Sequence, residues 1–307
     1  MKNKLIAFHL SNYLIYLSFG NDNYHRETFF SLLSFYKFHS EKDAITILIY
    51  TDKPSFFKEF LPQTVLYRII DKQKIDDWKG PLNYLYRLKT KVLQEVCKTY
   101  TGNFLFVDTD TVFLKNSTSL FKEIEAGELL LDANEGKLID NTGGIARKTK
   151  RFLKKEANFS LLSDSTTITL TDQFVVWNSG TIGFTNAIEK TLLSVEELMD
   201  LLYVKSKIFI VEQIALSYYF QKIKQPKETK NFIHHYWDFK EFRVVLTDFF
   251  NHNATKNVSE LIAQIHKVNP DTLSIEKKKY KKLTFFQKLW RKITTGSKWK
   301  IPNYNLD

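Results

Sequence analysis

The chain has 307 residues, of which 43% are apolar and 26% charged, so it predicts a globular protein with a sizeable core and excludes a disordered one. Its formal net charge is +11, and ten Lys or Arg with no Asp or Glu fall between residues 277 and 300. The rest of the chain is therefore nearly neutral. That distribution argues against a body built to track nucleic acid.

The number of cysteines and the length of the apolar runs indicate in which cellular compartment the protein is expected. The one cysteine, Cys97, excludes a disulfide framework and a cysteine-rich zinc site and fits a reducing cytoplasm. No apolar run is long enough to cross a bilayer, so no transmembrane helix is predicted. The first 20 residues lack a small-residue cleavage site, so no signal peptide is predicted either.

Strand and helix patterns alternate through the first 110 residues. In chain order we predict a strand over 13–20, a helix over 24–38, a strand over 45–50, a helix beginning at Pro54, a strand over 65–70, a helix over 81–100 and a strand over 104–107. This order predicts a doubly wound, mostly parallel sheet with helices on both faces, a Rossmann-like α/β fold. Ligands of such sheets bind beyond the carboxyl ends of the strands.

The second half of the sequence predicts a less regular order of strands, loops and helices. It contains an edge element over 127–132, a polar loop over 134–144, apolar strand residues within 174–184, helices over 186–203 and 211–222, and an aromatic–histidine segment over 232–242. Two interpretations fit Asp132, Asn134 and Glu135: they line the acceptor side of a site, or they belong to a polar surface loop, and the loop is favoured. We predict one catalytic domain over 1–250 and a basic, helical appendage over 251–307.

An acidic pair follows the last predicted parallel strand. Asp108 and Asp110 are two residues apart, directly after the apolar Phe104–Val107, and two carboxylates so placed can bind one hard cation. The pair fits a sugar-nucleotide transferase that holds a metal on a diphosphate. It also fits an aspartyl-phosphate hydrolase in which the first Asp is the nucleophile. The hydrolase is less favoured, because neither Asp-Asp nor Gly-Asp-x-x-x-Asp follows residue 110 and three strands precede the motif.

An ordered series of short motifs over residues 13–242 resembles glycosyltransferases of the A-type fold, most closely the bacterial lipopolysaccharide sugar transferases and glycogenin-like enzymes. The motifs are Tyr86-Arg87-Leu88, Phe106-Val-Asp-Thr-Asp110, Trp177-Asn-Ser-Gly180, Val211-Glu-Gln-Ile-Ala-Leu216 and His234-His-Tyr-Trp-Asp-Phe-Lys240. The sequence departs from the family pattern in having Glu212 before the glutamine, Ile214 after it and Trp237 in place of a glycine.

The resemblance implies roles for these residues. Metal ligands would be Asp108, Asp110 and His234 or its neighbour His235; donor contacts would come from Arg87, Thr109, Asn178, Ser179, Gly180 and Lys240; and Gln213 with Glu212 would lie by the reacting carbon. Because one ligand is an imidazole, Mn²⁺ is favoured over Mg²⁺. A metal and fixed cations would offset charge on a leaving diphosphate.

The basic appendage carries a second pattern. Leu283, Phe286, Trp290 and Ile293 recur at helical spacing, and lysines and arginines fill the opposite face. That is typical of a helix lying on an anionic membrane surface. A basic helix docked on the protein's own surface is the other interpretation. No nucleic-acid partner is expected.

These observations together predict a metal-dependent hexosyltransferase. It would move a sugar from a nucleotide donor, UDP being favoured, to a glycan or lipid-linked glycan in cell-surface polysaccharide or lipopolysaccharide synthesis, with retention favoured. We expect it in the cytoplasm, peripheral on the inner face of a bacterial membrane. Alternatives are the phosphohydrolase and a non-catalytic glycan- or lipid-binding protein on the same fold.

Overall fold

A computed structural model describes residues 10–162, 165–296 and 298–307. Residues 1–9, on which part of the signal-peptide prediction depends, lie outside the described residues. The strands are Ser11–Ser18 (β1), Ile45–Thr51 (β2), Leu66–Ile69 (β3), Gly102–Val107 (β4), Thr111–Phe113 (β5), Leu130–Lys137 (β6), Asn158–Ser160 (β7), Thr167–Thr169 (β8), Val175–Thr185 (β9), Lys227–Glu228 (β10) and Ile233–His235 (β11).

The α-helices surround these strands. They are Asp22–Phe38 (α1), Pro54–Lys58 (α2), Lys72–Lys79 (α3), Arg87–Thr99 (α4), Thr118–Glu125 (α5), Gly144–Lys155 (α6), Glu189–Ser206 (α7), Val211–Ile223 (α8), Phe242–His252 (α9), Val258–Gln264 (α10), Pro270–Leu273 (α11), Ile275–Lys282 (α12) and Phe285–Thr295 (α13). Within the described residues, none of these helices is both long and apolar enough to span a bilayer.

The central sheet has the strand order β10-β6-β9-β4-β1-β2-β3. Strands β1 to β4 run parallel to one another, whereas β9 is antiparallel to both β4 and β6. The predicted doubly wound, mostly parallel α/β fold is thereby confirmed. The predicted edge element is β6, which is not at the edge because the short β10 pairs outside it.

Two apolar clusters cover the two faces of the sheet. Leu14 and Tyr16 of β1 belong to one cluster and Ile15 to the other, as expected where successive side chains of a strand point to opposite faces. Helices α4, α7 and α8 pack in the Ile15 cluster, and α1, α5 and α9 in the other. Leu261 and Leu273, from the part of the chain beyond residue 250, are buried in that second cluster as well.

The helix predicted over 81–100 begins later, at Arg87. A turn precedes it, because Gly80 and Asn83 have φ values of 62° and 49°, which a helix cannot contain. Leu85 lies in this turn and is 47% exposed, whereas Leu88, Val92, Leu93 and Val96 of the helix are buried. Helix α3 was not predicted.

The appendage returns to the body after α13. Trp299, Ile301, Tyr304 and Leu306 pack against the second cluster, and Lys267 Nζ donates to the carbonyl of Leu306 at 3.0 Å. Helix α13 therefore lies between two stretches that contact the body, while its own apolar side chains stay exposed.

Candidate active site

The acidic loop Asp108–Asp110 lies at the carboxyl ends of the parallel strands. It follows β4, and the amide of Asp108 donates to the Gly180 carbonyl at 2.8 Å. The first half of β9 and the second half of β6 extend past β4 at this edge, because Val107 already pairs with Thr181 and Ala133 with Asn178. Residues distant in sequence thus meet where ligands of such sheets bind.

His235, and not His234, faces the acidic pair. Strand β11 pairs antiparallel with β5 and sets His235 opposite Thr111, the residue after Asp110. The Nε2 atom of His235 lies 3.5 Å from Asp110 Oδ1 and 3.9 Å from Asp108 Oδ2. Because side chains alternate along a strand, His234 points away, with its Nε2 3.3 Å from Asp271. Of the two candidate histidines, His235 therefore takes the place expected of a ligand.

The cluster suits a divalent cation. Single ligand atoms of Asp108, Asp110 and His235 all lie within 4.8 Å of one another. The other ring nitrogen of His235, Nδ1, is 3.1 Å from Asp132 Oδ2 and from Asn178 Oδ1, two acceptors that favour a proton on Nδ1. Nε2 then faces the two carboxylates, and a bound cation would replace the proton that the raised pKa of His235 keeps on Nε2 in its absence. Two carboxylates and one neutral imidazole form a donor set for Mn²⁺ or a similar ion.

The electrostatics of the cluster also attract positive charge. Burial disfavours the charged form of His235, yet Asp110 and Asp132 outweigh it and raise its pKa to about 10. Burial acts against ionisation of Asp110 too, but His235 and Lys240 hold its pKa below the usual range. Burial prevails at Asp108, whose pKa is raised despite Lys89. The carboxylates around His235 thus favour a positive charge at this place, either the imidazole proton or a bound cation.

Lys89, which the sequence analysis did not identify, is a buried cation of this site. Its Nζ donates to Asp108 Oδ2 at 2.9 Å and to the Ser179 carbonyl at 3.0 Å. It also lies 3.8 Å from Glu212 Oε1, a buried atom without a hydrogen-bond partner among the described residues. Burial, only partly offset by Lys89, raises the pKa of Glu212 to about 7. The pattern around Lys89 is that of an ordinary helix, so sequence offered no signal for it.

Arg87 lies elsewhere, contrary to its predicted place by the donor. Its Nε is 3.2 Å from Asp200, Nη1 donates to the Trp78 carbonyl at 3.0 Å, and Nη2 pairs with Glu196. Two residues along a helix turn by about 200°, so Arg87 and Lys89 face opposite sides of α4. Lys89 therefore lies on the side of α4 that faces the acidic pair, and Arg87 on the side that faces α7.

A polar network links the remaining predicted residues. Glu135 accepts from Asn178 Nδ2 at 3.0 Å and from Gln213 Nε2 at 3.1 Å, and Ser179 Oγ donates to Glu212 at 3.1 Å. Glu135 and Asp132 thus contact site residues, although the sequence pattern was that of a surface loop. The structure brings Asn178, Ser179, Glu212 and Gln213 to one edge of the acidic cluster.

Gly180 is required by the close approach of His235. A Cβ built on Gly180 would lie 1.9 Å from Nδ1 of that ring. The Gly180 amide donates to Asn178 Oδ1 at 2.9 Å. Only glycine leaves room for the imidazole here.

Two further residues fix the acidic loop from the other side. Lys240 Nζ lies 2.5 Å from Asp110 Oδ2 and is half-exposed toward the cleft. Thr109 is buried, and its Oγ1 donates to Glu27 at 3.4 Å. Glu27 has no exposed surface and accepts from Arg243 Nε at 2.9 Å and Nη2 at 3.1 Å. Thr109 therefore faces the protein interior, whereas Lys240 faces the site.

Comparison with known proteins concerns the fold. No protein-family model and no curated protein sequence matches the chain. Solved structures that it resembles include mouse xyloside xylosyltransferase 1, with 9% identity over 71% of this chain and 83% of that one and a TM-score of 0.45. The glycosyltransferase GlyE of Streptococcus pneumoniae matches at 11% identity over 84% of this chain and 64% of that one, with a TM-score of 0.46. The bifunctional glycosyltransferase WbbM matches at 13% identity over 70% of this chain and 38% of that one, with a TM-score of 0.42. At 9–13% identity and TM-scores of 0.42–0.46, these likenesses do not extend what those proteins bind or transfer to this chain.

Proposed function

We propose that the protein is a metal-dependent glycosyltransferase that uses a nucleotide sugar, with UDP as the favoured nucleotide. The observation that carries the proposal is the convergence of Asp108, Asp110 and His235 between Lys89 and Lys240 at the carboxyl ends of the parallel strands. The acceptor is a glycan or lipid-linked glycan, in cell-surface polysaccharide or lipopolysaccharide synthesis. A hexose is the expected sugar.

The chain's own residues supply most of the chemistry required. Bound Mn²⁺ or Mg²⁺ would offset charge on the departing diphosphate. Lys240, half-exposed beside Asp110, adds a fixed cation that can meet a phosphate oxygen. Asn178 presents an amide that both donates and accepts, which suits sugar hydroxyls.

Gln213 and Glu212 lie in the first turn of α8, beside the polar network of the site. Gln213 donates to Glu135, the same carboxylate that accepts from Asn178. Glu212 is buried, so its carboxylate is not presented to an acceptor hydroxyl in the open cleft. Retention of anomeric configuration is favoured because the Gln213 motif resembles that of a retaining family.

The site can be tested with the Asp110→Asn variant. Mn²⁺ with UDP should raise the melting temperature of the wild type. In the presence of Mn²⁺ the variant should bind UDP at least about 100-fold more weakly, because one carboxylate ligand of the metal is lost. Asp77→Asn, at an exposed acid of α3, is the matched control. Sugar-nucleotide turnover that survives in Asp110→Asn would contradict the proposal. Hydrolysis of a phosphate monoester with Mg²⁺, and no response to UDP, would favour the phosphohydrolase.

We further propose that the protein is peripheral on the inner face of a bacterial membrane. Along α13 the side chains of Phe285, Phe286, Trp290 and Ile293 are 69–79% exposed, and the basic residues of 277–300 surround them. Apolar side chains bury into the lipid interface while cations meet anionic headgroups. A lipid-linked acceptor would be reached from that position.

Vesicle binding tests the membrane proposal. Phe286→Ser with Trp290→Ser should weaken binding to phosphatidylglycerol vesicles by about tenfold or more, because two large apolar side chains leave the interface. Leu193→Ser with Val204→Ser, at exposed apolar positions of α7, is the matched control. If both double variants bind the vesicles equally well, the apolar side chains of α13 do not bind the membrane and the helix has a structural role only.

A further inference from the structure

A second basic surface lies on α6, well separated in sequence from the basic appendage. Half of the twelve residues of this helix are Lys or Arg, and none is acidic. Arg147, Arg151, Lys154 and Lys155 are exposed and follow one another at spacings of four, three and one, which places them along one side of the helix. We call these four residues the basic stripe.

The basic stripe has no counter-charge in the described parts of the chain. None of its four side chains has an ion-pair or hydrogen-bond partner there, and the acidic residue that follows the helix, Glu156, is paired with Lys205. Like charges at i and i+4 destabilise a helix. The helix is held by its other face, where Ala146, Thr149 and Leu153 are buried. Folding therefore does not explain the stripe, whereas binding of an external anion would.

The stripe differs from α13 in having no apolar component. Its side chains span about 12 Å along the helix axis. None of the exposed large apolar residues lies on α6, whereas α13 exposes five. A surface with charge but no exposed apolar side chains suits a water-soluble polyanion better than a lipid interface.

The start of α6 lies beside two loops that lead into the candidate site. Lys150 Nζ donates to the carbonyls of Ile139 and Asn141, both at 3.0 Å, in the loop that follows β6 and Glu135. Lys148 Nζ donates at 3.3 Å to the carbonyl of Lys207, in the loop that leads into Glu212 and Gln213. The first half of α6, where the stripe begins, is thus attached to the two loops that lie next to Glu135 and Gln213 in sequence.

We propose that the basic stripe binds the acceptor, and that this acceptor is a glycan with repeated anionic groups. The assignment rests on the proposed glycosyltransferase function, which supplies the glycan, and on charge complementarity, which supplies the anion. Phosphate and carboxylate groups share the chemistry that Arg and Lys recognise. Contact along the stripe would hold the chain of the acceptor while its end enters the cleft.

The experiment compares three forms of one polymer. Dextran phosphate, carboxymethyl dextran and unmodified dextran are titrated against the full-length protein, with poly(U) RNA at matched charge as a fourth arm. An anionic dextran should bind and unmodified dextran should not, and binding should weaken as salt screens the charges. The phosphate and carboxymethyl arms identify which anionic group is preferred. Tighter binding of poly(U), or no preference for anionic dextran, would overturn the proposal.

Variants locate the binding surface. Arg151→Gln with Lys154→Gln should reduce affinity for the preferred anionic dextran by about fivefold or more, because two exposed ionic contacts are lost. The control is Lys282→Gln with Lys292→Gln, which removes the same charge from exposed positions of the appendage. An equal loss in both double variants would show a net-charge effect and overturn the assignment to α6.

Donor binding separates this proposal from the proposed function. The stripe variant should keep Mn²⁺-dependent UDP binding, while Asp110→Asn should lose it and still bind the anionic dextran. If the stripe variant loses UDP binding as well, the stripe is not a separate acceptor surface. If the wild type binds anionic dextran through α6 but never binds UDP, the glycosyltransferase assignment fails and the polyanion surface stands.

Discussion

A single strand pairing decides the direction of the histidine at the candidate metal site. Because β11 pairs with β5, His235 and His234 point to opposite sides, one toward the acidic pair and the other toward Asp271. Asp132 then orients the imidazole through Nδ1. The three groups expected to bind a cation are thus oriented by backbone pairing and by one carboxylate outside the ligand set.

Substitution of the two neighbouring histidines tests this geometry. His235→Ala should weaken Mn²⁺ binding at least about tenfold, because a ligand is lost, whereas His234→Ala should change it little. Isothermal titration with Mn²⁺ measures both, and the pair forms its own control because the positions are adjacent on one strand. Equal losses, or a larger loss in His234→Ala, would contradict the assigned ligand set.

Gly180→Ala tests the space that the imidazole needs. The new Cβ would overlap the His235 ring, so the ring must move away from the acidic pair. We expect weaker Mn²⁺ binding and a loss of about 1–3 kcal/mol in unfolding free energy from overpacking. Gly144→Ala is the control, since nothing lies within 4 Å of its added Cβ. Unchanged metal binding in Gly180→Ala would mean that the ring position does not matter.

Residue patterns predicted part of this site and could not predict the rest. The acidic pair, the two histidines, Asn178 and Gln213 stand in short motifs, and the structure brings one histidine and the others together. Lys89 stands in no motif, because its role depends on which side of α4 packs against α7. Asp132 and Glu135 resembled a surface loop because the path of β6 beside β9 is a long-range property.

At the scale of elements, α1 and the loop before α5 are joined by a histidine that must stay neutral. His39 Nδ1 donates to the Phe35 carbonyl at 2.9 Å, and its Nε2 accepts from the Ser117 amide at 2.8 Å. The ring also stacks on Phe35 with 4.1 Å between centroids. Protonation of Nε2 would remove the Ser117 bond, and burial lowers the pKa of His39.

This histidine predicts acid sensitivity of the fold. A folded-state pKa below the ordinary 6.5 means that the stabilising contribution is present above pH 6.5 and is lost as pH falls below it. His39→Gln should lower the unfolding free energy at pH 8 by about 1–3 kcal/mol, because a flexible amide does not reproduce the ring's stacking on Phe35 together with its two aligned hydrogen bonds. Its further decline from pH 7 to 5 should be smaller than that of the wild type.

Urea denaturation across that pH range measures the effect. His266→Gln, at an exposed histidine, should follow the wild-type curve and serves as the control. A decline in His39→Gln as steep as in the wild type would assign the acid sensitivity to other groups, among them His25, whose pKa burial also lowers.

The predicted strands and helices agree best with the structure where the local sequence pattern and the burial in the fold indicate the same element. Strands β1, β2, β4 and β9 contain the apolar stretches of the sequence and lie inside the sheet, so the sequence pattern and the burial both indicate a strand. The start of α4 was predicted too early, because the apolar spacing continues through a turn that two positive φ angles impose. Helix α3 has no buried residue, so no apolar periodicity marked it.

At the scale of the whole molecule, the appendage is joined to the loop that carries Lys240. Lys281 Nζ lies 2.5 Å from Asp238 Oδ2, and Lys277 pairs with Glu241. These two lysines are one turn apart on α12, and the two acids lie on either side of Lys240 in sequence. Trp299 packs on Phe239 of the same loop, with 6.1 Å between ring centroids. The position of a proposed donor-binding cation therefore depends on residues beyond 250.

Removing both lysine contacts tests this dependence. In Lys277→Gln with Lys281→Gln, Asp238 and Glu241 lose their counter-charges, so the loop is less restrained and two carboxylates repel a diphosphate near Lys240. We expect UDP affinity in the presence of Mn²⁺ to fall about fivefold, as two partly exposed ion pairs would give. Lys282→Gln with Lys292→Gln removes the same charge without touching the loop and should retain wild-type affinity. Since the proposed Mn²⁺ ligands are Asp108, Asp110 and His235, Mn²⁺ affinity in the absence of UDP should be unchanged in both variants. Unaltered UDP binding in the first variant would show that the loop keeps its position without α12.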